Sequence, residues 1–148
     1  MGLVKKIAIG IVASAVLIQF IRIDTTNPPV TPQKDFIAIN QPDEEVQNLL
    51  NSACYDCHSN TTSYPWYAQI APVSWWLKDH VNEGREELNF SNWGDYSAKK
   101  ADHKLEECIE LVKEREMPLE SYTWTHTEAK LSDEQRTLLT SFFQSLRK

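Results

Sequence analysis

Residues 43–58 read DEEVQNLLNSACYDCH, and the reading of this stretch decides the fold. Pro42 and Asp43 precede it as helix-opening residues, and its apolar positions fall at Val46, Leu49, Leu50, Ala53, Cys54 and Cys57. Steps of three and four trace one face of a helix, so the spacing predicts a helix that turns both cysteines into a core.

Cys54-Tyr55-Asp56-Cys57-His58 matches CxxCH, the attachment pattern of c-type haem. Thiols three positions apart on a helix project from one face, so each can reach one vinyl group of the same porphyrin. The next residue can then turn its imidazole onto the iron. A redox dithiol wants a strand leading into the motif, and here a helix leads into it. A zinc site wants a second closely spaced ligand pair, whereas His80, His103, Cys108 and His126 are scattered. A disulfide between helical positions i and i+3 is geometrically awkward and gives His58 no task.

Three more helices are expected downstream. One starts near Pro72 and runs to about Leu88 or Phe90, with Val73, Trp76, Leu77, His80, Val81 and Gly84 on one face. Another spans about Ser97 to Arg115, with Ala98, Ala101, Leu105, Cys108, Ile109 and Val112 on its apolar stripe and His103 on the charged side. It must stop before Met117-Pro118, because proline cannot continue it. The last starts at Ser132, whose spacing to Gln135 matches a capping box, and turns Leu138, Leu139, Phe142, Phe143 and Leu146 inward. No strand-like alternation of useful length and no internal repeat occurs, so the expected fold is all-α.

Met117 is the favoured second axial ligand, since a loop after a helix can present a thioether free of helical spacing. His80 is the rival, from the inner face of its helix; His103 faces solvent, and His126 fits a local turn role. Tyr64 and Trp66, close behind the motif, offer flat walls and polar tips to a porphyrin. Arg85 could pair with a propionate. Cys108, alone on an apolar stripe, reads as a small buried hydrophobe.

At the N-terminus, Lys5 and Lys6 precede the apolar run Ile7–Ile21, and Arg22 closes it. Residues 1–23 are read as an anchor or uncleaved signal, because the best small-residue cleavage candidate, Ala13-Ser14-Ala15, lies inside the run. Positive charge stays on the cytoplasmic side, which places everything after Asp24 outside. Residues 24–41, with Pro28, Pro29 and Pro32, read as a linker, either lifting the domain off the membrane or packing along its surface. Residues 42–148 form the domain. The net charge is −6, and residues 24–148 carry 12 basic against 21 acidic groups, which argues against nucleic-acid binding. Such acidity keeps a domain soluble and can steer a basic redox partner.

The arrangement resembles class I cytochrome c: a helix ending in CxxCH, a loop methionine 59 residues after His58, then a C-terminal helix. More narrowly it resembles the bacterial membrane-anchored haem-binding domain family, through NPPVT at 27–31, CYDCHSN at 54–60, YPWY at 64–67, APVSWW at 71–76, HVNEGREELNFSNW at 80–93 and MPLESY at 117–122. The resemblance implies a cytochrome c-like helical domain around one covalent haem c per chain, preceded by a transmembrane helix. His80 and Arg85 fall inside a family segment, which raises both as haem-pocket candidates. The expected activity is one-electron transfer at the periplasmic face of the inner membrane, with Cys54, Cys57, His58 and Met117 holding the haem. A haem-based sensor or small-ligand binder is the alternative, and a peroxidase-like enzyme a third.

Overall fold

The computed structural model describes residues 2–147. Among them there are helices and no strands, so the fold is all-α with an N-terminal apolar helix. Helix α1 (Leu3–Leu17) continues through a 3₁₀ turn to Phe20 and buries none of its residues. Three α-helices follow the extended linker and a 3₁₀ turn: α2 (Phe36–Asn40), then α3 (Glu44–Ala53) and α4 (Tyr55–His58) in close succession. The larger part of the body comes from α5 (Val73–Glu87), α6 (Ala98–Lys113), the short α7 (Glu120–Thr123) and α8 (Asp133–Leu146).

Local chemistry explains the boundaries. Asp43 caps α3 by accepting from the Val46 amide at 2.9 Å, and Glu44 and Glu45 complement the positive end of its dipole. The predicted capping box of α8 is formed: the Ser132 hydroxyl accepts from the Gln135 amide and the Gln135 side chain accepts from the Ser132 amide. Ser97 caps α6 with a single bond, its hydroxyl accepting from the Lys100 amide at 3.3 Å. At its other end, Arg115 takes a left-handed conformation (φ 64°), and the amides of Glu116 and Met117 turn back to the Leu111 carbonyl.

Three expectations need correction. The helix entering the motif is not continuous: Cys54 (φ −130°, ψ −44°) interrupts it between α3 and α4. As a result Cys54 packs against the main core while Cys57 packs against a second, smaller cluster built on Ala68, Leu77 and Val81. The inner face of α5 is also rotated from the expected one. Ser74, Leu77, Val81 and Gly84 are buried, whereas Val73 and Trp76 are 43% and 45% exposed. The close approach of α5 to α4 selects that face: a Cβ at Gly84 would stand 2.8 Å from the Cys57 carbonyl oxygen, so only glycine lets the two backbones meet.

The third concerns the boundary expected at residue 42. Of the two courses expected for residues 24–41 the chain takes the packed one, along the domain surface, and beyond that Phe36 is fully buried against Phe90, Trp93, Phe142 and Phe143. The packed body therefore begins near Asp35, whose carboxylate caps α2 and accepts from the Tyr55 hydroxyl at 3.0 Å. The main core joins α3, α6 and α8 through Leu49, Leu50, Leu105, Ile109, Leu139 and Phe143. Helix α8 packs chiefly on α6 and also reaches α3.

Candidate functional site

Against the main core lies a cavity of about 630 Å³, within the roughly 300–1,000 Å³ typical of cofactor sites. Cys54, Cys57 and His58 line it from the attachment turn, His80, Gly84 and Leu88 from α5 and the residue after it. Helix α6 adds Cys108, Leu111 and Val112, and the loop after it adds Met117, Pro118, Leu119 and Tyr122. Most of this lining is aliphatic, aromatic or sulfur-bearing. Acidic residues belong to it too, with Glu83, Glu87, Glu107 and Glu110 on α5 and α6, and Lys104 is the one cation among the lining residues.

His58 is oriented by the backbone of α5. Its Nδ1 lies 2.8 Å from the Gly84 carbonyl oxygen and 3.2 Å from that of Leu88. A carbonyl can only accept, so Nδ1 carries the proton and Nε2 keeps its lone pair. A fixed ring with a basic Nε2 is the form an imidazole needs to bind a metal. Burial pushes the His58 pKa down, partly offset by the two carbonyls, and the ring stays neutral.

The two residues between the cysteines each hold a different part of the site. Tyr55 is buried, stacks on Phe90 at 5.2 Å and ties α4 to Asp35. Asp56 accepts from the Ser63 amide (2.9 Å) through one oxygen and from the Tyr122 hydroxyl (2.8 Å) through the other. The second bond fastens the Met117 loop to the attachment turn. Burial first, and then this carboxylate, push the Tyr122 pKa upward. The same loop is held from α8 by Arg136, which donates to the carbonyls of Val112 (2.9 Å) and Met117 (2.8 Å).

The thiols are unlike those of a redox dithiol. Burial pushes Cys54 up to about 12, helped by the neighbouring Cys57 thiol, and Cys57 up to about 11, raised further by Asp56 and partly offset by Arg85. At neutral pH they are protonated, whereas disulfide exchange needs a thiolate. Cys108 is likewise pushed up to about 12 by burial.

The site residues expected from the sequence divide into two groups. Cys54, Cys57, His58, His80 and Met117 line one cavity; Arg85, Tyr64 and Trp66 are not among the residues lining it. Arg85 donates to Ser59 O, Thr62 Oγ1 and Asn27 Oδ1, clamping the linker to the segment after His58. Tyr64 packs with the smaller cluster and accepts from Lys78, and Trp66 is 77% exposed. His80 donates Nδ1–H to the Trp76 carbonyl at 2.9 Å, which leaves its Nε2 free as well. His103 pairs with Glu107, and His126 stacks on Tyr122 at 4.2 Å. Sequence reading missed Lys104, Asp56, Tyr122 and Arg136: the Asp56–Tyr122 bond and the two bonds of Arg136 join distant segments, and only the places of Asp56 in CYDCHSN and Tyr122 in MPLESY hinted at a role.

A family model described as a haem-binding domain matches residues 13–145. The chain belongs to the haem-binding domain family. No curated protein and no solved structure gives a significant match. The cavity of this haem-binding domain suits the group its family name specifies: apolar walls for a porphyrin, a neutral imidazole with a free Nε2, and a thioether brought to the same space. Lys104, with its side chain only 13% exposed and paired with Glu107 at 2.7 Å and Glu87 at 3.5 Å, is the cation within reach of an acidic substituent.

Proposed function

We propose that this haem-binding protein carries one haem c, bound covalently through Cys54 and Cys57, and passes single electrons. His58 Nε2 and the Met117 sulfur would be its axial ligands. The observation that carries this reading is the convergence of two protonated thiols, an imidazole fixed through Nδ1 and a loop methionine on one largely apolar cavity. Bound there, haem would supply an iron that cycles between ferric and ferrous states. The chain's own residues do the rest: Gly84 and Leu88 hold the His58 ring, while Arg136 and Tyr122 keep the Met117 loop in place. Leu111, Val112 and Phe143 exclude water. A site with little freedom to rearrange suits electron transfer, where coordination must survive both oxidation states.

We place the protein in the inner membrane with the domain on the periplasmic side. Residues 3–20 form an exposed helix of mean hydropathy 1.9, long enough to span a thin bilayer, and Lys5 and Lys6 favour a cytoplasmic N-terminus. The domain's excess of carboxylates suits a basic redox partner.

One observation favours a second axial arrangement. His80 lines the same cavity and, like His58, donates Nδ1–H to a carbonyl, so its Nε2 could occupy the sixth position. Spectra of the haem-loaded full chain in both oxidation states, with and without carbon monoxide, separate the readings. Six-coordinate low-spin iron with a weak sulfur-to-iron charge-transfer band, lost in Met117→Ala and kept in His80→Ala, is the expected result. The opposite pattern supports His80, and rapid carbon monoxide uptake by the unmodified chain supports a sensor or ligand binder.

A further inference from the structure

Five large apolar residues stand exposed on one part of the domain: Trp66 (77%), Ile70 (42%), Val73 (43%), Trp76 (45%) and Trp124 (74%). Trp66, Val73, Trp76 and Trp124 line a single open groove of about 640 Å³, and a Tyr67–Thr125 hydrogen bond of 3.1 Å ties its two loops together. Three tryptophans left in water on one face of a small domain is a costly arrangement unless something covers them.

The chain shows what lies next to this face. Gln19, in the last turn of the apolar N-terminal helix, makes a reciprocal pair with Ala71: its Nε2 donates to Ala71 O at 2.9 Å and its Oε1 accepts from Ala71 N at 3.0 Å. Arg22 donates to Gln69 O at 2.8 Å, and Trp75 Nε1 donates to Ile21 O at 2.9 Å. Segment 69–75 is thereby fixed at the level where the anchor leaves the bilayer, and the exposed residues of the groove are its immediate neighbours. Tryptophan partitions to that depth, with its ring among the upper acyl chains and its indole N–H among the headgroups.

We infer that the Trp66–Trp76–Trp124 face is a bilayer-docking surface that seats the domain on the lipid headgroup region beside its own anchor. The inference rests on the anchoring reading above. Docking fixes the orientation of the cofactor, because His80, Leu119 and Tyr122 line both this groove and the central cavity. The cavity then lies directly behind the lipid-facing wall, and electron exchange takes place at a set height above the membrane rather than from a freely swinging domain.

The test uses the haem-loaded full chain in nanodiscs of phosphatidylethanolamine and phosphatidylglycerol, doped with a phospholipid carrying a diazirine near its glycerol. After illumination, cross-linked peptides are mapped by mass spectrometry. The proposal predicts lipid adducts in 66–76 and 119–125 as well as in 3–20, and none on the α6–α8 surface around Lys113, Ser141 and Gln144. Trp66→Ser combined with Trp124→Ser should lower the domain adducts at least fivefold, with unchanged anchor adducts and an unchanged visible spectrum. Adducts confined to 3–20 would overturn the docking surface while leaving the anchor intact. No adducts at 3–20 would overturn the anchoring reading itself, and domain adducts left undiminished by the double substitution would overturn these tryptophans as the lipid contact.

Discussion

Replacing Gly84 with alanine sets two sizeable effects against each other. Alanine is the better helix former by about 1 kcal/mol, so at an unhindered site in α5 the change would stabilise. At this site the new methyl would lie 2.8 Å from Cys57 O and 3.1 Å from both Cys57 C and Cys57 Cβ. Backbone atoms cannot swing aside, so reaching ordinary contact requires α4 and α5 to part by ~0.6 Å. Overpacking of this kind costs about 1–3 kcal/mol. The same movement stretches the 2.8 Å bond from His58 Nδ1 to Gly84 O, at a further cost of about 0.5–1.5 kcal/mol. Net destabilisation of about 0.5–3.5 kcal/mol is expected, with a looser His58 ring and an altered visible spectrum. Guanidinium unfolding of the haem-loaded full chain in detergent, followed by circular dichroism and by the Soret band, measures both effects. Asn82→Ala, on the exposed side of the same helix, should be neutral or slightly stabilising. A Gly84→Ala protein as stable as the parent, with an unchanged spectrum, would refute the claim that this close approach positions the histidine.

Phe36→Ala should cost about 3–5 kcal/mol in the same unfolding assay, as for a fully buried core ring; a loss below 1 kcal/mol would show that residues 35–41 are not part of the domain. Arg136→Gln removes two charge-assisted bonds and should destabilise by about 1.5–3 kcal/mol, and the sulfur-to-iron band should bleach at a lower temperature than in the parent, because Met117 loses its brace. Stability should also fall in alkali. The folded chain holds the phenolic protons of Tyr55 and Tyr122, whose pKa values burial pushes up, whereas the unfolded chain releases them near pH 10. The folded form therefore binds more protons above about pH 10, and each tyrosine contributes a decline of up to about 1.4 kcal/mol per pH unit. Tyr122→Phe should flatten that decline, and an unchanged slope would remove Tyr122 from it.

Much of the scaffold was legible because it depends on local rules. The caps at Asp43, Ser97 and Ser132, the stop before Pro118 and the stripe Leu105–Ile109–Val112 all follow from spacing within one turn or two. So does the grouping of Cys54, Cys57 and His58, and Met117 was found because a methionine in a loop after a helix stands out in composition. Contacts between distant segments were not legible. The break at Cys54 is set by the junction of two clusters, and the rotation of α5 is set by how closely Gly84 approaches Cys57. Tyr64 and Trp66 are neighbours of the motif in sequence, but the extended segment 61–65 and the 3₁₀ turn Trp66–Gln69 carry them away from the cavity. Arg85 was read as a partner for a charged group on a cofactor, and its hydrogen bonds instead join Asn27, Ser59 and Thr62. The short FIAI run at 36–39 was the one sign that the linker ended early, too brief for periodicity to register.

Covalent attachment through Cys54 and Cys57 is what the proposed iron site depends on most. The full chain, produced with c-type maturation machinery, is extracted with acidified acetone, and the precipitated polypeptide is weighed by intact mass spectrometry. Haem should remain with the protein, the mass should exceed that of the bare chain by one haem, and Cys54→Ala combined with Cys57→Ala should abolish the increase. Haem passing into the acetone, with the polypeptide at its unmodified mass, would contradict covalent attachment.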